Sequence, residues 1–241
     1  MAKMRIDKLL SNIGIGTRKE VKKIINKGFV LVNSNIIKDS GLIVNTETDE
    51  ILLNGKKIEY KEFLYIMMNK PNGVISATYD FKEKTVIDLL TGELKSRNLF
   101  PVGRLDKDTE GLLLITNDGD LAHQLLSPKK NVVKKYYAEI SDFVDNKDIK
   151  AFNEGVILED GYKTLPANLE ILISSSDVSK VYVYIREGKY HQIKRMFESV
   201  GKKVIYLKRL AMGSLTLDKN LKPGDWRELS EEELSMLKKS I

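Results

Sequence analysis

The stretch Gly103-Arg104-Leu105-Asp106-Lys107-Asp108-Thr109-Glu110-Gly111-Leu112-Leu113-Leu114-Ile115 places a short charged loop directly before an apolar strand. In this loop, Arg104 supplies a guanidinium and Asp106 a carboxylate. Binding and catalytic groups commonly lie on loops held by rigid elements, so the pair is a candidate site; a solvated surface turn is the alternative interpretation. Asp106 and Asp108 could also form a glycosidase-like pair of carboxylates, but a single functional carboxylate is the preferred interpretation.

Composition limits the available chemistry. The 241 residues contain no Cys and only two His, His123 and His191, which excludes disulfides and thiolate nucleophiles and argues against a metal site. Lys and Arg number 40 against 34 Asp and Glu, an excess that suits a polyanionic partner where it is clustered. The chain shows no apolar signal core and no run of roughly 20 apolar residues that could span a bilayer. We expect carboxylate chemistry without metal or cofactor, in a soluble cytoplasmic protein that is a monomer.

A polar segment near residue 61 divides the chain into two predicted domains, residues 1–60 and 63–241. The first is predicted to contain helices at 5–10 and 17–27, the second with a Thr17–Glu20 capping box, and short strands at 29–32, 51–53 and 56–58. For the second domain we predict strands at 63–68, 112–116, 134–140, 169–173, 180–185 and 204–208, and helices at 85–90, 120–126, 147–154, 191–200 and 230–239.

These elements indicate an α+β fold. The strands do not alternate regularly with helices, which argues against a doubly wound parallel sheet. We therefore expect a small N-terminal domain of helices and a small sheet, followed by a larger domain built on a mixed, mostly antiparallel sheet.

One face of the helix at 17–27 is strongly basic. Val21, Ile24 and Ile25 share the apolar face, and the cations spread over the opposite one. Through Tyr60 the chain has 11 Lys and Arg against 7 Asp and Glu, so much of the positive charge is concentrated here. We call this surface the basic ridge; it is either an ordinary solvated face or a phosphate-binding surface. Its members are Arg18, Lys19, Lys22, Lys23 and Lys27.

Two further segments could contribute to a site. Residues 186–197 run from a strand through Gly188 into a helix, so the first helical turn could offer backbone N–H groups and cations to a phosphate; an ordinary basic helix is the alternative. Tyr136 and Tyr137 begin a strand, where neighbouring side chains face opposite ways, so one can pack in the core while the other lines a cleft. The glycines at 14 and 16 lack the pattern of a dinucleotide loop, so no nucleotide cofactor is implied.

Taken together, these segments resemble the bacterial small-subunit (16S) rRNA pseudouridine synthases. Residues 4–58 resemble that family's N-terminal RNA-binding domain, named after ribosomal protein S-four, and residues 63–241 resemble its catalytic domain. The catalytic-domain motifs that recur in order are Met68-Asn69-Lys70-Pro71, Gly103-Arg104-Leu105-Asp106, Lys134-Lys135-Tyr136, Gly155-Val156, Pro166-Ala167 and Gly188-Lys189-Tyr190-His191-Gln192-Ile193-Lys194-Arg195-Met196-Phe197.

The resemblance implies that the protein isomerises uridine in rRNA without a cofactor, on the RNA itself or on an assembling particle. It implies that Asp106 acts at C1′ of a flipped-out uridine, through a covalent adduct or a glycal, and that Lys194 keeps this carboxylate ionised. Tyr136 would stack on the base. Large-subunit (23S) rRNA as substrate, and a non-catalytic ribosome-assembly role, remain alternatives.

The resemblance also implies roles for the remaining candidates. Ile193 would cover the base, Arg195 would substitute for Lys194 as the cation, and Arg104 would fill the vacated space or grip the adjacent phosphate. The basic ridge would position the RNA.

Overall fold

The computed structural model describes residues 3–241 apart from the side chain of Glu93; the first two residues of the predicted domain 1–60 lie outside the described residues. The chain forms two compact units. The N-terminal unit extends to Leu64 and also includes Leu90–Leu99. The second unit contains Tyr65–Leu89 and Phe100–Ile241.

The N-terminal unit combines two helices with short strands, as predicted. The capping box is present, because the Thr17 hydroxyl accepts from the Glu20 N–H and the Glu20 carboxylate accepts from the Thr17 N–H. Val21 and Ile25 are buried, and all five side chains of the basic ridge are exposed. Strands β3, β2, β5 and β6 form one sheet in that order, and β1 pairs with β4. The elements are β1 (Lys3–Arg5), α1 (Ile6–Asn12), α2 (Arg18–Asn26), β2 (Val30–Val32), β3 (Asn35–Ile36), β4 (Ile43–Asn45), β5 (Ile51–Leu53) and β6 (Lys56–Lys57).

The second unit is built on a nine-stranded sheet. Its elements are β7 (Tyr65–Lys70), β8 (Phe100–Pro101), β9 (Glu110–Thr116), α3 (Gly119–Leu126), β10 (Lys134–Ile140), α4 (Asn146–Glu154), β11 (Asn168–Ile173), β12 (Ser179–Ile185), α5 (Gln192–Ser199), β13 (Val204–Met212), β14 (Leu215–Thr216), β15 (Trp226–Glu228) and α6 (Glu231–Lys239). The main strand order is β11-β12-β10-β13-β9-β7-β15, with β14 on β13 and β8 on β9. Within the described residues every pairing in this sheet is antiparallel except that of β9 with β13, which confirms the predicted α+β class.

One predicted helix is wrong. The segment 85–90 contains only a single turn of 3-10 helix, Ile87–Leu89. The backbone N–H of Val86 bonds the carbonyl of Ile75, and Thr85 forms a bridge with the same residue, so pairing with Ile75 holds the start of this segment in an extended conformation. The strands β8, β14 and β15 were not predicted, because segments of two or three residues are too short to show an alternation of apolar and polar side chains. No helix in the stretch 3–241 has the length and apolar character needed to cross a membrane.

Gly111 allows β9 and β13 to meet just after the loop Gly103–Thr109, which we call the Asp106 loop. Gly111 pairs with Arg209 and has φ +99°, a backbone conformation that side chains disfavour. A methyl group at this position would lie 2.2 Å from the carbonyl oxygen of Arg209. The parallel pairing therefore requires glycine here.

Two buried side chains hold the backbone of the Asp106 loop. The ammonium group of Lys70, at the end of β7, donates to the carbonyl oxygens of Pro71 (3.0 Å), Lys107 (3.2 Å) and Thr109 (2.8 Å). Burial lowers the pKa of Lys70 to about 8, although nearby carboxylates oppose this shift. The Ser76 hydroxyl donates to the Leu105 carbonyl (2.9 Å) and accepts from its N–H (3.0 Å). The loop is therefore fixed on both sides of Asp106.

We predict that Gly111→Ala lowers the free energy of unfolding by about 2–4 kcal/mol, because the new methyl must displace backbone. Gly161→Ala is the matched control: Gly161 also has positive φ (+82°), but nothing lies within 4 Å of the added carbon. We expect this control to lose only about 1 kcal/mol in urea denaturation. Equal losses for the two variants would contradict the packing argument.

We also predict that stability rises between pH 8 and 9.5. Lys70 and Lys134 are both buried, and burial lowers the pKa of each to about 8, whereas an unfolded lysine titrates near 10.5. In this window the unfolded chain binds more protons than the folded one, so raising the pH favours folding by at most about 1.4 kcal/mol per pH unit for each lysine.

Urea denaturation at several pH values measures this slope. Lys134→Met should reduce the slope, since one of the two lysines no longer contributes. A wild-type protein whose stability is flat or falls over this window would contradict the prediction.

Candidate active site

The Asp106 carboxylate lies between two nitrogen-bearing side chains from the start of α5. Its Oδ2 is 3.2 Å from Lys194 Nζ, and its Oδ1 is 3.5 Å from His191 Nε2. The Thr109 N–H bonds the Asp106 carbonyl, which closes a tight turn. The side chain remains 26% exposed, so the carboxylate can contact a ligand while its charge is balanced.

Lys194 binds a second carboxylate. Its Nζ donates to Asp108 Oδ1 at 2.6 Å, so the turn brings both aspartates to one lysine. Burial raises the pKa of Asp108, but the hydrogen bond and charge of Lys194 outweigh it, and the net pKa is below the usual value. Burial similarly acts to lower the pKa of Lys194, but the two carboxylates raise it overall. Lys194 therefore stays an ammonium ion at neutral pH.

Asp106 lines both a wide cleft and a narrow recess. The cleft has a volume of about 860 Å³, within the range of ligand sites, and lies between the segments 75–78, 101–107 and 188–191. The recess, about 60 Å³, is lined by apolar side chains on one part of its wall and by polar groups of the Asp106 loop and of the segment 188–192 on the rest. Its side-chain walls include Thr109, Tyr136, Ile185, Ile193 and Leu207.

The structure brings five of the predicted residues to this recess: Arg104, Asp106, Tyr136 and Ile193 line it, and Lys194 reaches it through its ion pair with Asp106. Tyr136 is 7% exposed, whereas its neighbour Tyr137 is half-buried and bonds Glu139, so the two tyrosines separate as strand geometry predicts.

The two predicted arginines differ in position. Arg104 is exposed and lines the cleft. Arg195 is on α5, but its Nη2 pairs with Asp160 Oδ2 at 2.6 Å. The structure therefore does not place Arg195 beside Asp106 as a substitute for Lys194, because successive helical residues project about 100° apart.

Several residues that build the site had no role predicted from the sequence. His191 was considered only as a metal ligand, yet it approaches Asp106, stacks on Tyr190 with ring centroids 3.8 Å apart, and has φ +48°. Buried Glu187 accepts from Gln192 Nε2 (2.7 Å), which fixes the turn before α5. The sequence pointed to these residues only because they belong to the segment 186–197, which was itself a candidate part of the site. Across residues 3–241, no cluster of three His, Asp or Glu side chains could hold a metal ion.

Comparison with known proteins agrees with this geometry. Residues 64–199 match the RNA pseudouridylate synthase family, and residues 4–51 match the S4 domain. A Bacillus subtilis protein named as an uncharacterized RNA pseudouridine synthase is 51% identical over 234 residues, which covers 97% of this chain and 98% of that protein. A crystal structure of a pseudouridylate synthase aligns with TM-score 0.68 and 35% identity, covering 97% of this chain and 99% of that one.

Relatives named for the small ribosomal subunit and relatives named for the large one have similar sequence identity to this chain. A ribosomal small subunit pseudouridine synthase A of Vibrio cholerae is 40% identical, covering 97% of this chain and 99% of that protein. A ribosomal large subunit pseudouridine synthase B of Bacillus subtilis is 37% identical, covering 97% and 95%. The family match covers more than half of the sequence, and the relatives extend over nearly all of it, so the chain belongs to the RNA pseudouridylate synthase family, with an S4 domain before the synthase domain.

Proposed function

We propose that this enzyme isomerises one uridine of small-subunit (16S) rRNA to pseudouridine, with Asp106 as the catalytic nucleophile. The main support is the position of Asp106, which is partly exposed at the junction of cleft and recess and 3.2 Å from the Lys194 ammonium. The small-subunit target rests on the sequence of residues 191–197, His-Gln-Ile-Lys-Arg-Met-Phe, which resembles the small-subunit branch of the family more than its large-subunit relatives. The relative from Vibrio cholerae carries a matching name.

The reaction exchanges one bond to the sugar for another. Asp106 acts at C1′ while the bond from C1′ to N1 of uracil breaks, either by forming a covalent ester or by promoting a glycal. The freed base rotates, and C5 bonds C1′ as the ester bond from C1′ to Asp106 breaks or, on the glycal route, as the proton removed from C2′ returns. C5 then loses its proton and N1 gains one, so the reaction is a net isomerisation. The Lys194 ammonium group, 3.2 Å from the carboxylate, is placed to balance the negative charge that Asp106 carries in this step.

The recess supplies the base-binding part of the site. We assign Tyr136 to stack on the uracil, with its hydroxyl able to move a proton, and Ile193 to cover the base. Flipping the uridine out of its stack costs a few kcal/mol, which contacts in the site offset. Arg104, exposed at the cleft, would fill the vacated space or hold the neighbouring phosphate.

The basic ridge is our candidate for general RNA binding. Its five exposed cations belong to the S4 domain and can contact phosphates without reading sequence. We propose residues 1–60 as the RNA-binding domain and 63–241 as the catalytic domain, with Arg195 contributing a further RNA contact. The enzyme would act in the cytoplasm as a monomer, on rRNA or an assembling particle.

A large-subunit (23S) target is the second candidate, favoured by the Bacillus subtilis relative named for that subunit. A non-catalytic assembly role has less support. The Asp106–Lys194 pair and the recess with Tyr136 would have no purpose in it.

We predict that Asp106→Asn abolishes pseudouridine formation while RNA binding is retained. The test is carbodiimide mapping of both rRNAs from cells lacking the protein, complemented with wild type, Asp106→Asn or the exposed control Asp177→Asn. One 16S pseudouridine should return with wild type and the control only. A returning 23S site would support the second candidate, and no affected site would refute both enzymatic assignments.

We predict that replacing Lys22 and Lys23 with Gln weakens RNA binding and flattens its salt dependence. Each phosphate contact contributes about 0.9 to the slope of log K against log salt, so the slope should fall by up to about 2. The control replaces Lys56 and Lys57, which are also exposed and in the same unit, with Gln. Equal slopes for the two double variants would argue against a special role for the ridge.

A further inference from the structure

Two aromatic rings stand exposed beside the cleft. Phe81 is 91% exposed and Tyr79 68% exposed, and their ring centroids lie 5.1 Å apart in an edge-to-face arrangement. Large apolar side chains are normally removed from water, so an adjacent exposed pair points to a binding surface. No step of the mechanism above uses these rings.

The segment that carries them is held in place by hydrogen bonds. We call residues 76–84 the aromatic loop. Its ends meet where the Ile75 N–H bonds the Lys84 carbonyl (3.0 Å) and the Val86 N–H bonds the Ile75 carbonyl (3.0 Å). At its tip, Asp80 Oδ1 accepts from the N–H groups of Lys82 (2.9 Å) and Glu83 (3.0 Å). The rings are therefore presented from an ordered turn rather than from a loose chain.

The aromatic loop is continuous with the Asp106 site. Residues 75–78 form one wall of the cleft that Asp106 lines, and Tyr79 follows directly. At the far end, Glu83 pairs with Lys107 at 2.7 Å, and Lys107 is the residue after Asp106. The aromatic loop thus contacts the Asp106 loop near one end, through the Glu83–Lys107 ion pair, and lines the same cleft near its other end.

The charges of this loop suit a polyanion. The carboxylates of Asp80 and Glu83 are engaged, one by backbone N–H groups and the other by Lys107. Lys82 and Lys84 are exposed beside the rings. Exposed rings flanked by cations are the elements with which proteins bind single-stranded nucleic acid, since bases stack on the rings and phosphates contact the cations.

We propose that the aromatic loop stacks an unpaired base of the RNA strand that enters the cleft. This inference rests on the proposed function in taking RNA as the substrate. Edge-to-face packing leaves ring faces open to a base, and stacking accepts any base because each has a π-face. The loop would hold a nucleotide beside the target while the recess holds the target itself.

The test compares two probes with the same phosphate charge: an octamer of uridylate and an octamer whose central residues are abasic. Their affinities are measured for wild type, for the double variant Tyr79→Ala with Phe81→Ala, and for Phe143→Ala. Phe143 is a control in the same unit, 50% exposed and outside the cleft lining. Thermal melting checks that each variant is folded.

We expect the double variant to bind the uridylate octamer about 5- to 30-fold more weakly and the abasic octamer unchanged. Phe143→Ala should match wild type, and Tyr79→Phe should retain the preference for bases. Equal losses on both probes, or no loss on either, would overturn the proposal. The probes need no known target uridine, so this outcome is independent of the rRNA mapping that tests the proposed function.

Photocross-linking tests the position. A 4-thiouridine in the octamer should cross-link to the peptide that contains Tyr79 and Phe81. Cross-links confined to the N-terminal unit would overturn the assignment.

Discussion

The buried ammonium group of Lys70 is the interaction on which the site depends. It donates to three carbonyl oxygens, two of them in the Asp106 loop, and comes from a different strand. Those carbonyl groups bond a buried ammonium group, and each buried carbonyl left without a hydrogen bond would cost about 1–3 kcal/mol. The loop can therefore hold its tight turn without regular secondary structure, and Asp106 starts from a fixed backbone.

Lys70 and Lys194 thus both contact the Asp106 loop, but their surroundings shift their pKa values in opposite directions. Lys70 is surrounded by protein, and burial lowers its pKa to about 8, so keeping its charge at neutral pH reduces stability. Lys194 faces two carboxylates, which raise its pKa above the usual value despite burial. One lysine fixes the backbone and the other balances the side-chain charge. The arrangement concentrates two cations around Asp106, which suits the role of ionised nucleophile that we propose for this carboxylate.

The sequence predicted more of the fold than of the support for the site. Capping boxes and alternating strands gave the helices and the sheet, because these signals are local. The motifs named Asp106, Tyr136 and Lys194, which the structure brings together. Lys70 and Ser76 were not given roles, because their partners in the Asp106 loop lie 29–39 residues away and no local sequence pattern indicates such contacts. The helix predicted at 85–90 is wrong for the same reason, since a contact with Ile75 overrides the local helix propensity.

The neighbours Lys194 and Arg195 show how the fold divides similar charges between tasks. Both are cations at the start of α5, yet one reaches Asp106 and the other Asp160. The helix places them on different faces, so only one can act on the carboxylate. Phosphate binding, the role that we propose for the basic ridge, tolerates cations at many positions because the attraction is long-ranged and unspecific. Bond breaking at a sugar carbon does not, since it needs a single carboxylate in one geometry. Buried Lys70 and Ser76 accordingly fix the backbone of the Asp106 loop, while the ridge carries its charge on exposed side chains.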